Sequence, residues 1–244
     1  MNLKGIFAFT VVGLVGIAAA PQPGTAQISQ QGNKYLFRYK WEKGKVYNYN
    51  LAYTMTVPAS AGRGATGSAG APRPQTMNSR FSMKVIDVKG GTATIELTMP
   101  AAQGQPAPKP QRMTMDSLGR VQGAAGSNLS QQAPVLPQRA VGINETWTNT
   151  MQVPGMMGGT MNMTSTMRLT AVRTVGGRRV AEVNQNIQMR GSGMTGGGSG
   201  TYSHDMSDGM VRSARMNMTM TIPAPPARQG QPQAKPMSIP LTVT

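Results

Sequence analysis

Apolar and polar residues alternate along most of this chain. Tyr47, Tyr49, Leu51, Tyr53, Met55 and Val57 fall on one parity, and Asn48, Asn50, Thr54 and Thr56 on the other. Ala93, Ile95, Leu97 and Met99 stand in the same relation to Thr92, Thr94, Glu96 and Thr98. So do Met161, Met163, Met167 and Leu169 to Asn162, Thr164, Thr166 and Arg168, and Met216, Met218 and Met220 to Asn217, Thr219 and Thr221. Successive side chains of a strand point to opposite faces, so each run predicts a strand with one apolar face. Antiparallel sheets carry this pattern, with one face packed and one wet.

Between these runs lie 58–75, 100–111, 191–200 and 223–236, rich in proline, glycine and glutamine and poor in residues to bury. Such composition predicts mobile loops, the stretch GSGMTGGGSG at 191–200 included. Shorter turns are expected at Lys89-Gly90-Gly91, Gly176-Gly177 and Asp208-Gly209, where glycine supplies the positive φ of a tight hairpin. Aligning those turns exposes an internal repeat. MNSRFSMKVIDVKGGTATIELTM (77–99) matches MTSTMRLTAVRTVGGRRVAEVNQNIQM (163–189), each followed by a second hairpin, RMTMDSLGRVQG or YSHDMSDGMVRSA. An aromatic strand precedes each, WEKGKVYNYNLAYTMTVP or AVGINETWTNTMQVP.

A helical period is missing after residue 26, although SNLSQQAP (127–134) is able to make a turn or two. The expectation is an all-β domain over 27–244, with halves at about 33–123 and 135–222 and a final strand at about 236–243. Roughly ten to twelve strands without covering helices must bury their apolar faces on one another. That requires a strongly curved antiparallel sheet, as a half-barrel, barrel or sandwich. A transmembrane barrel is disfavoured, because four Phe and two Trp are too few for two aromatic girdles.

The segment MNLKGIFAFTVVGLVGIAAAPQPGTAQ has one charge at Lys4, an apolar run from Ile6 to Ala20 and small residues before Gln27. This is the plan of a secretory signal peptide over 1–26, cut after Ala26, and the run is short for a membrane span. The chain has no cysteine, which excludes disulfides, thiolate metal sites and a lipidated N-terminal cysteine. Without residues 1–26 there remain 23 Lys and Arg against 8 Asp and Glu, a formal charge of +15. A periplasmic or secreted protein of that charge is drawn to anionic envelope surfaces; the scattered cations indicate no specific nucleic acid, and the short apolar run and few aromatics argue against an integral membrane protein.

The stretch YLFRYKWEKGKVYNYNLAYTMTV, followed by VLPQRAVGINETWTNTM, resembles a family of uncharacterised exported bacterial proteins. Its members share an aromatic strand, a Lys-Gly turn and a Leu-Pro…Val-x-Gly-x-x-Trp element, here stretched so that Gly142 stands five residues before Trp147. The resemblance implies an extracytoplasmic β-sheet protein shaped like lipoprotein carriers. It implies no activity and no catalytic residues.

Catalytic chemistry is poorly provided for. The single histidine, His204, has Ser203 and Asp205 as neighbours, and adjacent strand residues face opposite ways, so the three form no triad. Asp87, Asp116 and Asp208 sit at turns, where a carboxylate caps backbone. The glycine-rich stretch lacks the Lys-Ser/Thr of a phosphate loop. The expectation is therefore a non-enzyme without a cofactor.

Methionine is the candidate chemistry, with 21 in the chain. Spacing of two sets thioethers on one strand face, and soft thioethers select Cu(I). The same residues occupy the parity that Leu, Ile, Val and Tyr occupy elsewhere, so core packing accounts for them without a metal. Three readings follow. The favoured one is an envelope binding protein for an apolar or lipid-like ligand, lined by Met161, Met163, Met167, Met216, Met218 and Met220. The others are a structural or adhesive protein with a packed core, and a periplasmic Cu(I) binder.

Overall fold

The computed structural model describes residues 28–57, 73–101, 106–122, 134–154, 159–191, 193–224 and 236–244. The signal peptide expected at 1–26 and most of the turn expected at 127–134 lie outside them. The described residues contain strands, turns and irregular segments, and no helix.

The first strands are short, β1 (Ser29–Gln31) and β2 (Lys34–Leu36), and β8 (Val141–Gly142) joins them in a three-stranded sheet of order β1-β2-β8. The remaining strands form one antiparallel sheet. They are β3 (Val46–Val57), β4 (Arg73–Lys89), β5 (Thr92–Thr98), β6 (Gln111–Met115), β7 (Val121–Gln122), β9 (Thr146–Pro154), β10 (Thr160–Val175), β11 (Arg178–Gly191), β12 (Met194–Asp205), β13 (Val211–Ile222) and β14 (Met237–Val243). Their order is β7-β6-β5-β4-β3-β14-β13-β12-β11-β10-β9. Two five-stranded meanders, β3–β7 and β9–β13, thus meet through β14, which pairs with β13 from Met216 to Ile222 and with β3 from Tyr53 to Met55. The edge strands β7 and β9 do not pair with each other, so the ladder is not closed and the barrel alternative is set aside.

Corresponding turns of the meanders take corresponding conformations. Gly90 and Gly91 have φ of 58° and 78°, and Gly176 and Gly177 have 56° and 77°, the left-handed pair of a two-residue hairpin turn. At this end of the sheet, called the turn end, lie the starts of β3, β5, β9, β11 and β13. The connections 58–72, 99–110, 155–159, 192–193 and 223–236 leave from the opposite, loop end.

The largest departure from expectation is GSGMTGGGSG. Gly191 ends β11, and Met194 to Gly200 belong to β12, paired with β11 throughout and with β13 from Thr195. The stretch is sheet interior rather than loop, because its glycines lie where neighbouring methionines need the space. The second departure is Arg212, which breaks the apolar parity of β13. It occupies a bulge, since Ser203 pairs with Ser213 while His204 pairs with Val211. A bulged residue is released from the ladder and re-aimed, and here the guanidinium turns to Asp205 and Asp208. Similar register shifts skip Ile86 in β4 and Thr170 in β10.

One hydrophobic cluster takes in the apolar face of the large sheet together with Ile28, Tyr35, Phe37, Tyr39 and Trp41 of the N-terminal segment and Leu118, Leu136 and Val141. Phe37, fully buried, lies between the Trp147 and His204 rings at centroid distances of 5.9 and 6.1 Å.

Candidate functional site

The six methionines singled out in the sequence share the apolar face of the large sheet. Met161, Met167, Met216, Met218 and Met220 are buried, and Met163 is partly buried against the same cluster. Parity places them there. On β13 the even positions are covered and Arg215, Asn217 and Thr219 are exposed. The structure brings them together in two groups on separate strands, β10 and β13, with β11 and β12 between.

What separates the groups is a floor of glycine. Gly196, Gly198 and Gly200 of β12 stand directly opposite Met220, Met218 and Met216 of β13, and opposite Met189, Ile187 and Gln185 of β11 on the other side. Their parity is that of Met194, Tyr202 and His204, which are buried. A Cβ at Gly196 would lie 3.0 Å from Met189 Cε and 3.5 Å from Met220 Cγ, and one at Gly198 would lie 2.7 Å from Met218 Cγ and overlap the Asn217 carbonyl oxygen. Side-chain atoms of Met189, Met218 and Met220 therefore occupy the space a Cβ would take at Gly196 and Gly198. Sequence reasoning missed this strip, although the signal was present, since glycine holds every even position from 196 to 200 between Met194 and Tyr202.

The face changes character along these strands. Toward the loop end it presents Met161, Met163, Met189, Met194, Met218 and Met220, and toward the turn end Leu169, Val183, Tyr202 and His204. The turn end is covered by the segment Phe37–Trp41, and two hairpin turns grip that segment. The Tyr39 amide donates to the Ser117 carbonyl oxygen (2.8 Å) in the β6–β7 turn, and the next amide, of Lys40, donates to the Asp208 carbonyl oxygen (2.9 Å) in the β12–β13 turn. Pro134 to Leu136 are tied in beside them. The Tyr39 hydroxyl donates to Pro134 O, the Leu136 amide to Leu118 O, and Trp147 Nε1 and Asn149 Nδ2 of edge strand β9 to Val135 O.

Charged groups gather in the β12–β13 turn. Asp205 accepts from Arg178 (3.2 Å), Arg212 Nε (3.1 Å) and the Ser207 hydroxyl (2.6 Å), and Asp208 from Arg212 (2.8 Å) and the Met210 amide (2.9 Å). Burial raises the Asp205 carboxyl, but hydrogen bonds from Ser207 and the nearby guanidinium groups outweigh it and hold Asp205 below its usual range. Asp208 goes the other way, because burial outweighs Arg212. Burial lowers His204 to about 4, and its ring is hydrogen-bonded through Nδ1 to the Gly209 carbonyl oxygen (3.0 Å). At neutral pH it is uncharged, so Nδ1 carries the proton and donates. All these groups are engaged in holding the turn.

Three buried side-chain polar atoms, by contrast, have no hydrogen-bond partner among the described residues. They are the Tyr47 and Tyr49 hydroxyls and Gln185 Oε1. Tyr47 and Tyr49 project from the apolar parity of β3 near the turn end, and Gln185 stands on β11 opposite Gly200, at the inner end of the glycine strip.

Among the described residues no group of three His, Asp or Glu is placed to hold a metal ion, and no helix is long and apolar enough to cross a membrane. An open pocket of about 880 Å³ lies where β14 ends, lined by Asn50, Asn78, Arg80, Ser213 and Thr244 among others, and it includes none of the methionines. No family model, curated protein or solved structure matches the chain.

Proposed function

We propose that this is an exported, non-enzymatic binding protein of the cell envelope, carrying an apolar or lipid-like ligand against the methionine face of a curled sheet. The observation that carries the reading is the grip on Tyr39 and Lys40. The β6–β7 and β12–β13 turns are six strand spacings apart in the sheet order. In a flat sheet that is about 29 Å. Amides of consecutive residues, about 3.8 Å apart along the chain, reach both turns. The sheet therefore curls until those turns are about 10 Å apart by the same bond lengths. Curling turns the apolar face inward, and methionine, flexible and polarizable, is suited to lining a site that adapts to its occupant.

Export rests on the signal peptide read over 1–26. An anionic envelope surface fits the charge distribution. The loop-end connections 58–72, 99–110 and 223–236 carry Arg63, Lys109, Arg228 and Lys235 and no acidic residue. Attraction of that kind is long-ranged and salt-sensitive. A Cu(I) site is the weaker reading, because packing in the hydrophobic cluster already accounts for the buried methionines.

Native mass spectrometry of the mature protein, extracted without detergent from its own envelope, tests the carrier. Adducts released by organic solvent are expected. A single unliganded mass under conditions that preserve a known lipid complex would leave only a packed structural protein.

A further inference from the structure

We propose that the large sheet receives an extended acidic peptide of another protein, which adds as a strand in the slot that β14 leaves between β3 and β13. Strand β14 fills only part of that interval. Its ladder with β3 sets Leu241 to Val243 opposite Met55 to Tyr53, and Thr244 then exchanges both backbone hydrogen bonds with Ala52 at 2.8 Å. Its ladder with β13 stops where Val243 meets Met216. Past that point β3 extends back to Val46 and β13 back to Val211, with no described strand between them. Strands on either side of a third lie about 10 Å apart, the width that one added chain needs. The open pocket of about 880 Å³ lies at this place, against Asn50, Leu51, Ser213, Ala214 and Thr244. Lys40, whose amide donates to the Asp208 carbonyl oxygen, leads into β3 across the turn end of the slot. From there to Thr244 the slot is flanked by Val46 to Leu51, about 20 Å at the usual strand rise.

The backbone on both sides is set for a strand. Because Ala52 bonds to Thr244, even positions of β3 turn their N–H and C=O groups to this side and odd positions turn theirs to β4. Val46, Asn48 and Asn50 are the even positions that β14 does not reach. On β13 the same alternation passes from Met216, opposite Val243, to Ala214. These four residues have no backbone partner on the slot side among the described residues. Unpaired ladder groups of this kind are what strand addition uses, and a chain running as β14 does would be antiparallel to both neighbours. Side-chain parity then sets its composition. Alternate residues face inward beside Tyr49, Leu51 and Ala214, all buried, and the others face outward between Asn50 and Ser213, both exposed. Arg80 stands opposite Asn50 on β4, lines the pocket, is exposed and has no ion-pair partner among the described residues. Arg215 of β13 is exposed on the same face, and no described acidic residue lines the pocket. An outward carboxylate is placed to receive these guanidinium groups, so the chain that fits alternates apolar with acidic residues. This surface is separate from the methionine face and independent of the carrier reading.

The test is fluorescence anisotropy of a labelled, end-blocked heptapeptide of sequence TEVEVET with the mature protein at physiological ionic strength, joined to amide hydrogen exchange. Two controls accompany it, the same peptide N-methylated at its glutamates, equal in charge but unable to donate to β3, and a peptide with lysine in place of glutamate. The parent peptide is expected to bind at least tenfold more tightly than either. At saturation the amides of Val46, Asn48 and Asn50 should exchange at least tenfold more slowly. Asn50→Pro removes an N–H on the slot side and spares the ladder with β4, so it should abolish binding while the protein still melts cooperatively. Arg80→Glu is the second variant should the first fold poorly, and it should shift preference toward the lysine peptide. Equal binding of the N-methylated peptide would show attraction by charge alone and overturns the proposal. Slow exchange of those three amides in the free protein would show that a segment of this chain fills the slot, which overturns it as well. So does failure of the parent peptide to bind.

Discussion

At the scale of the residue, His204 shows how a group with catalytic chemistry is turned into a structural one. Its ring is fully buried among Phe37 and Tyr202, and its Nδ1–H is held by the Gly209 carbonyl. Burial favours the neutral imidazole, so as pH falls the unfolded chain takes up near pH 6.5 a proton that the folded protein takes up only near pH 4. Because the folded value is depressed, the unfolded chain binds more protons between those limits. Stability is then complete above about pH 7 and is lost as pH falls from 6.5 toward 4, by about 3 kcal/mol at 1.36 kcal/mol per unit. Asp208, raised by burial, acts in the opposite sense as the pH approaches 3.8 and softens the lower end of the fall. Urea unfolding at a series of pH values should show this loss in the wild type. In His204→Phe the slope between pH 6.5 and 5.5, above the range where the carboxylates titrate, should be flat, and a slope unchanged in that variant would assign the titration elsewhere.

At the scale of the element, the clasp on the N-terminal segment depends on two glycines in equivalent hairpin turns. Gly209 has a φ of 74°, and a Cβ there would overlap the Arg38 carbonyl oxygen. Gly119 has a φ of 83°, and a Cβ would meet Tyr39 Cε2 at 2.7 Å. Gly176 has a φ of 56° with nothing within 4 Å. Left-handed backbone costs an L-residue about 1–2 kcal/mol, and forced overpacking adds about 1–3 kcal/mol. Alanine should therefore destabilise most at 209, where backbone must move. It should do less at 119, where the Tyr39 ring at 2.7 Å and the Pro134 carbonyl oxygen at 3.0 Å are met less closely than the Arg38 carbonyl is at 209, and least at 176, by roughly 1 kcal/mol. Urea midpoints read that order, and equal costs at 209 and 176 would show that the segment does not seat on Gly209.

The same elements show what the sequence made legible. Parity in β3, β5, β10 and β13 identified strands and the face each buries, because side-chain period and burial are directly coupled. The Gly-Gly turns were legible because positive φ at two successive residues leaves few alternatives. β12 was not, since a glycine contributes nothing to a hydrophobic pattern and its role lies in the methionines of the next strand. Nor was the position of β14, because pairing between distant segments is set by register across the whole sheet. The methionine side of the candidate site was therefore visible from the chain alone. Its glycine floor and the unpaired Gln185 oxygen were not.

At the scale of the whole molecule, eleven strands form one ladder with free edges at β7 and β9, and the backbone of Tyr39 and Lys40 is hydrogen-bonded to both the β6–β7 and the β12–β13 turn. The turn end carries aromatic and aliphatic residues and the loop end methionine, an arrangement that suits entry of an apolar chain from the loop end. The central claim is that such a chain lies on the methionine face. The most direct measurement is nuclear magnetic resonance of the protein with carbon-13 labelled methionine methyl groups, mixed with decanol. Cross-relaxation from the alkyl protons to the ε-methyls of Met189, Met216, Met218 and Met220 is expected, with Met113 and Met115 on β6 unaffected. Contacts confined to methionines outside the β10–β13 face, or saturating ligand with no contact to any methionine methyl, would contradict the account.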